Sequence, residues 1–192
     1  MMEIDSIKEY LEKQLSEKRY RHSLGVADEA VKLAEKYEAD KFKAYVAGLT
    51  HDVAKEIENS EAKKLLKEYG VSIDLVSENT HKLLHGPLGA CMAQDKFSID
   101  DIEILDAIKY HTTGKANMSL LTKIIYIADY IEPNRDFEDV DKLRKLAYED
   151  LDAAILLGIN WTFEELMERY SMFHFDTVHA RNYLIMQRKN GK

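Results

Sequence analysis

Hydrophobic residues recur at intervals of three and four along most of this chain, the spacing that gathers them on one face of an α-helix. Ile7, Tyr10, Leu11 and Leu15 mark a first helix, with Asp5 or Ser6 available as its cap. Ser16 predicts the start of a second through about Tyr37, carrying Leu24, Ala27, Val31 and Ala34 on one face. Asp40 opens a third, with Phe42, Tyr45, Val46, Leu49 and Val53 in register. Residues 60–69 read as a short helix stopped by Gly70, which suits a left-handed terminus, and residues 71–80 read as irregular. A helix over 88–96 has Pro87 in its first turn, and Ser98 before Asp101 resembles a capping box for the stripe Ile102, Leu105, Ile108. Ser119 opens "LLTKIIYIADYIE", which Pro133 ends. Val140 to Leu157 is periodic throughout and is followed by Gly158, with further helices expected over 163–170 and 178–188. No segment alternates with period two between turn signals, and no repeat or linker interrupts the pattern. The expectation is one all-α domain.

Composition agrees with that reading. Of 192 residues, 45% are hydrophobic and 32% charged, with only eight glycines and two prolines, so little material exists for hairpins. A single cysteine, Cys91, excludes an internal disulfide framework and fits a reducing compartment. The start "MMEIDSIKEY" lacks the basic and apolar regions of a signal peptide. Apolar runs such as "AAILLGI" fall far below the roughly 18 residues of a membrane span. A cytoplasmic protein without membrane association is expected. The formal net charge of −8 argues against binding a nucleic-acid polymer. It leaves room for a small phosphorylated ligand whose charge is met by cations or by local Lys and Arg.

Candidate chemistry lies where histidines and aspartates interrupt helices or their ends. "GLTHDVAKE" sets His51 beside Asp52 where the third helix runs out, and a negative charge there opposes the helix dipole. His22 stands early in the second helix, His85 in "LLHGPLG", and His111 just before "TTG". Asp129 interrupts "KIIYIADYI", apolar nearly all round, where an ionised carboxylate is costly unless paired or bound to a cation. Each taken alone has a structural explanation: a buried imidazole, a solvated helix end, a salt bridge. Taken together, four imidazoles and two carboxylates suit Fe, Mn, Co or Zn better than Ca or Mg. Six ligands exceed one tetrahedral site and would fill a two-metal site with open positions. Lys55, three residues beyond Asp52, can reach a phosphate oxygen; Arg135 can clamp phosphate bidentately; Thr112 and Thr113 can donate hydroxyl hydrogen bonds. Glu132 and Asp136 read as solvated or salt-bridged, His81 as structural, Tyr126 and Tyr130 as core, and Trp161 as an anchor before a helix.

The stretches "RYRHSLGVADEAVKLA", "AGLTHDVAKE", "LLHGPLGA", "IKYHTTG" and "KIIYIADYIEPNRDF" resemble the HD superfamily of metal-dependent phosphohydrolases. Within it they are similar to the bacterial YqeK family of symmetrical diadenosine tetraphosphate hydrolases. The resemblance runs from about residue 4 to residue 190 and implies an HD-domain helical bundle with additional C-terminal helices. It implies one metal held by His22, His51, Asp52 and Asp129, with His85 and His111 near a second metal or the phosphates. It also implies iron, as one or two ions, for which Mn or Co can substitute. Asp52 and Lys55 become the catalytic candidates. The tail "HFDTVHARN" is implied around the nucleotide, through His174, Phe175, Asp176, Thr177, Val178, His179 and Arg181, although Asp176 and Thr177 could simply cap the last helix. The implied reaction is water attack at a central phosphorus of diadenosine tetraphosphate, giving two ADP; a homodimer is compatible with the sequence. Alternatives are another nucleotide phosphohydrolase on the same scaffold and a metal-containing nucleotide sensor without turnover. The Gly-Tyr-Pro signature of cyclic dinucleotide phosphodiesterases is absent, and "HDVAKE" lacks the acidic pair of the alarmone hydrolases.

Overall fold

A computed structural model describes residues 3–191, apart from the side chain of His81. Eleven α-helices and one short 3-10 turn, with no strand, make up the secondary structure among the described residues. The helices are α1 (Ile4–Gln14), α2 (Glu17–Lys36), α3 (Lys41–Thr50), α4 (Asn59–Glu68), α5 (Leu75–Asn79) and α6 (His85–Phe97). They continue with α7 (Ile102–Tyr110), α8 (Leu120–Ile131), α9 (Val140–Glu149), α10 (Leu151–Glu168) and α11 (Phe175–Asn190). No described helix is long and apolar enough to cross a membrane.

Most helix starts follow their caps. Ser16 Oγ accepts from Arg19 N, Asp40 from Phe42 N and Lys43 N, and Ser119 Oγ from Thr122 N, each satisfying a donor that the first turn leaves free. Four expectations are corrected. Helix α1 begins at Ile4 behind Glu3, with no side-chain cap from Asp5 or Ser6. Asp101 itself caps α7, whereas Ser98 ends α6 in the left-handed conformation, φ 52°. Residues 75–79 form α5, because Asp74 accepts from Val76 N and Ser77 N and so starts a turn that hydrophobic periodicity does not mark. The stretch 140–157 is broken at Asp150, whose extended backbone (φ −151°, ψ 97°) closes α9 while its carboxylate caps α10; α10 then runs through Gly158 as far as Glu168.

Helices α2, α3, α7 and α8 pack against one another around one continuous hydrophobic cluster from Ile7 to Leu184. The approach of α3 to α2 depends on Gly48: a Cβ there would sit 2.8 Å from Ala27 Cα. That contact brings the C-terminal end of α3, with His51 and Asp52, against the side of α2 that carries His22. Helix α8, apolar nearly all round, is buried through Ile124, Ile125, Tyr126, Ile127 and Ala128, and it delivers Asp129 to the same place.

Candidate active site

Asp52 lies at the centre, 1% exposed, and its two oxygens face different neighbours. Oδ2 is 3.7 Å from His22 Nε2, 3.4 Å from His51 Nε2 and 2.7 Å from Arg19 Nη1. Oδ1 is 3.2 Å from His85 Nε2, 3.5 Å from His111 Nε2 and 3.6 Å from Lys55 Nζ. Asp129 joins the first group, with Oδ1 at 3.0 Å from His22 Nε2 and 4.0 Å from His51 Nε2. The sequence-predicted set His22, His51, Asp52, His85, His111 and Asp129 therefore converges. Two triplets have spacings that could hold an ion: His22, His51 and Asp129, and His51, Asp52 and His111.

The imidazoles are turned inward by bonds behind them. His51 Nδ1 lies 2.6 Å from Gly48 O, and His111 Nδ1 lies 2.7 Å from Ile108 O, each one helical turn back. A ring nitrogen facing a carbonyl must carry the proton, so Nε2 keeps its lone pair for the centre. His22 Nδ1 lies 3.0 Å from Glu132 Oε1. Glu132 is itself fixed by Asn134 N and Nδ2, which donate to Oε2 at 2.7 and 2.8 Å. Room for this carboxylate comes from Gly25, where a Cβ would approach Glu132 Oε2 to 2.5 Å. Arg135 donates from Nε to Asp129 O at 2.7 Å and from Nη2 to Asp129 Oδ1 at 2.5 Å, so it grips the carboxylate that faces His22.

The centre suits a cation. His22 Nε2, His51 Nε2 and Asp52 Oδ1 are buried and have no aligned hydrogen-bond partner, a costly arrangement unless something else meets them. Burial by itself would raise the Asp52 carboxyl, but His51, His111 and His85 hold it well below the usual carboxylate range. Burial works the same way on Asp129, which His22, His51 and Arg135 hold low. Burial pushes His85 down to about 4, against the pull of Asp52, so this imidazole is neutral at neutral pH, the form that ligates metals. Two carboxylates among four imidazoles match borderline divalent ions.

Thr112 Oγ1 lies 3.1 Å from His85 Nε2 and 3.0 Å from His111 Nε2, and Lys55 Nζ lies 3.1 Å from His85 Nε2. Thr113, by contrast, is buried and donates to Gly114 O. Cavities open on both sides of Thr112. One, about 720 Å3, is lined by His111, Asp129, Arg135, Tyr130, Phe137 and Trp161, among others. The other, about 180 Å3, is lined by Asp74, Ser77, Lys109, Thr113, His174 and Asp176, among others.

The C-terminal candidates divide. His174 and Asp176 reach the smaller cavity, and His174 Nε2 is 3.1 Å from Asp74 Oδ2. His174 Nδ1 also caps α11 by accepting from Asp176 N, the role expected of Asp176 and Thr177. Phe175 is 69% exposed, Thr177 buried, Val178 half-buried and His179 exposed. Arg181 Nε donates to Asn160 Oδ1 at 2.8 Å, tying α11 to α10.

Sequence reasoning missed Arg19 and underrated Glu132, though both were within reach. Arg19 stands one turn before His22 on α2, and Glu132 three residues after Asp129, so each shares a helix face with a candidate ligand. Trp161 sits within α10 rather than before it, and Tyr130 packs against the core, stacked on Tyr126, while also lining the large cavity, its hydroxyl paired with Thr162 Oγ1 at 2.6 Å.

The chain belongs to the HD-domain family: residues 19–134, from α2 to just past α8, match the sequence model of the HD domain and include all six converging side chains. Within that family it groups with symmetrical bis(5'-nucleosyl)-tetraphosphatases. It is 42% identical over 175 residues to the one from Bacillus subtilis (strain 168), covering 91% of this chain and 94% of that one. It is 39% identical over 184 residues to that of Staphylococcus aureus (strain NCTC 8325 / PS 47), covering 95% and 94%. A crystal structure from Clostridium acetobutylicum, described as a predicted HD superfamily hydrolase involved in NAD metabolism, superposes with a TM-score of 0.96 at 46% identity, covering 97% of this chain and 99% of that one.

Proposed function

We propose that this chain hydrolyses diadenosine tetraphosphate and related dinucleoside polyphosphates symmetrically, as its curated relatives are named for doing. The observation that carries the reading is the two-faced Asp52, one oxygen toward His22, His51 and Asp129 and the other toward His85 and His111. In this reading His22, His51, Asp129 and Asp52 would hold one divalent ion, and His85 and His111, toward the other oxygen of Asp52, would lie near a second ion or the phosphates. Iron is the metal that the family resemblance favours, with Mn or Co as substitutes, and the mixed imidazole–carboxylate set accepts any of the three. A bound ion pair supplies Lewis-acid polarisation of the phosphoryl oxygens and a more acidic water.

The chain's own residues supply positioning and charge. Water attacks one of the two central phosphorus atoms, and the bond from that phosphorus to the central bridging oxygen breaks. The bridging oxygen leaves on one ADP, and the water oxygen stays on the other. Phosphoryl transfer needs in-line alignment and compensation of equatorial charge more than covalent help. The Lys55 ammonium, beside His85 and Asp52 Oδ1, meets a developing phosphoryl charge. The Thr112 hydroxyl, set between the two cavities, donates to a phosphate oxygen. Arg135 keeps Asp129 oriented and leaves its remaining face to the large cavity. His174 and Asp176, which line the smaller cavity, border the nucleotide on the other side.

Incubation with diadenosine tetraphosphate and ferrous or manganous ion in 18O-water tests this. ADP alone, with one labelled oxygen per pair, is expected. ATP plus AMP would place the cut at an outer phosphate and overturn the symmetrical reading.

A further inference from the structure

A substrate with a nucleoside at each end needs two recesses, one on either side of the bond that breaks, and two cavities meet at Thr112 beside His85 and His111. The larger is unlike a phosphate site. Its volume of about 720 Å3 falls within the roughly 300–1,000 Å3 of small-ligand pockets. Its wall includes the rings of Phe137 and Trp161, edge to face with centroids 6.1 Å apart, and beside them Tyr130. Apart from Arg135 and its partner Asp129, its charged lining is acidic: Glu138, Asp139 and Glu165.

That combination sorts ligands. Three carboxylates repel a phosphate tail but accept hydrogen bonds from ribose hydroxyls and from the exocyclic amine of a purine. Indole and phenyl faces stack on a base without regard to its sequence edge. The single guanidinium, Arg135, is paired with Asp129, one of the six converging side chains, where a phosphate chain would enter. The lining therefore combines one guanidinium, held on Asp129, with aromatic rings and three further carboxylates, groups that match the phosphate, base and ribose of a nucleotide.

We infer that the Phe137–Trp161 cavity is the subsite for the second nucleoside of the dinucleotide, and that its carboxylates select chains ending in a nucleoside over chains ending in a phosphate. The inference rests on the proposed hydrolysis of dinucleoside polyphosphates. It accounts for a preference for a substrate with two ends, which the six converging ligands cannot supply because they act on phosphorus in any nucleotide.

Trp161 is the one tryptophan of the chain, so its emission reports this cavity alone. A non-hydrolysable diadenosine tetraphosphate analogue with a methylene in place of the central bridging oxygen, added to the manganese-loaded native protein, is expected to quench that emission saturably, with the same midpoint as binding measured by equilibrium dialysis. In the active protein, Trp161→Ala is expected to raise KM for diadenosine tetraphosphate about tenfold, the size of one lost base–aromatic stack. Trp161→Phe should restore most of it. Phe137, 38% exposed, gives a second variant, Phe137→Ala, that tests the same point if Trp161→Ala does not fold. Unchanged emission on saturation, or an unchanged KM in the folded variants, would overturn the subsite. Failure of the native protein to form ADP would instead overturn the proposed function, whatever the emission does.

Discussion

On the Oδ2 face of Asp52 every neighbouring ligand is held from behind, whereas on the Oδ1 face one is not. His22 leans on Glu132, His51 on the Gly48 carbonyl and Asp129 on Arg135. On the other face His111 leans on the Ile108 carbonyl, but His85 Nδ1 is buried without a partner, and Lys55 and Thr112 crowd its Nε2. Outer-shell bonds fix ring orientation and raise ligand basicity, so under the proposed function the braced face would hold an ion more tightly than the face of His85. The less braced face, beside Thr112, would be the one to exchange partners with a substrate.

Removing the shared group has the largest expected effect. Asp52→Ala should lower hydrolysis by about a thousandfold or more, as loss of a central electrostatic element does, with helix content by circular dichroism preserved. Activity near that of the parent would falsify the shared-carboxylate reading. Treatment with a chelator should abolish activity, and ferrous or manganous ion should restore it; a chelator-resistant enzyme would exclude an ion pair from the reaction.

The bracing can be loosened without touching the centre. Glu132→Gln should weaken metal binding by roughly 10- to 100-fold, the usual cost of losing an outer-shell partner, read as a shifted midpoint in a metal titration. Gly25→Ala should act in the same direction, because its Cβ would displace the Glu132 carboxylate. Unaltered affinity in both would mean that Glu132 serves folding alone.

The smallest effect is expected at the edge of the second cavity. Asp74 caps α5 and faces His174, and although burial opposes it, Ser77 and His174 hold its carboxyl below the usual range. A depressed native pKa adds stability above the unfolded value, near 4, and that contribution is lost as pH falls through the native value. Asp74→Ala should therefore cost about 1 kcal/mol near neutrality, chiefly as a lost cap, with the difference shrinking as the solution is acidified below pH 4. A gap in thermal midpoint that is constant from pH 7 to pH 3 would assign the loss to packing.

The braced centre was largely legible in the chain, because a charged or imidazole side chain in an apolar helix stands out without knowledge of its partners. Asp129 in "KIIYIADYI" and the His51–Asp52 pair announce themselves in this way. Helix caps at Ser16, Asp40 and Ser119 were equally plain. What escaped depends on how helices cross: the reach of Arg19 to Asp52, the burial of Glu132 behind His22, and the recess between Phe137 and Trp161. Helix α5 escaped because five residues carry too little periodicity, and the break at Asp150 because apolar spacing continues across it. The hold of Arg135 on Asp129 escaped for the same reason, since α8 and the turn after it bring the two together.

Anaerobic titration of ferrous ion into the metal-free parent and into His85→Ala tests the division between the two faces most directly. The parent should bind two ions per chain with unequal affinity, and His85→Ala should lose the weaker while keeping the tighter at its original midpoint. One ion per chain in the parent, or loss of both in the variant, would contradict a carboxylate shared between a braced face and an exchanging one.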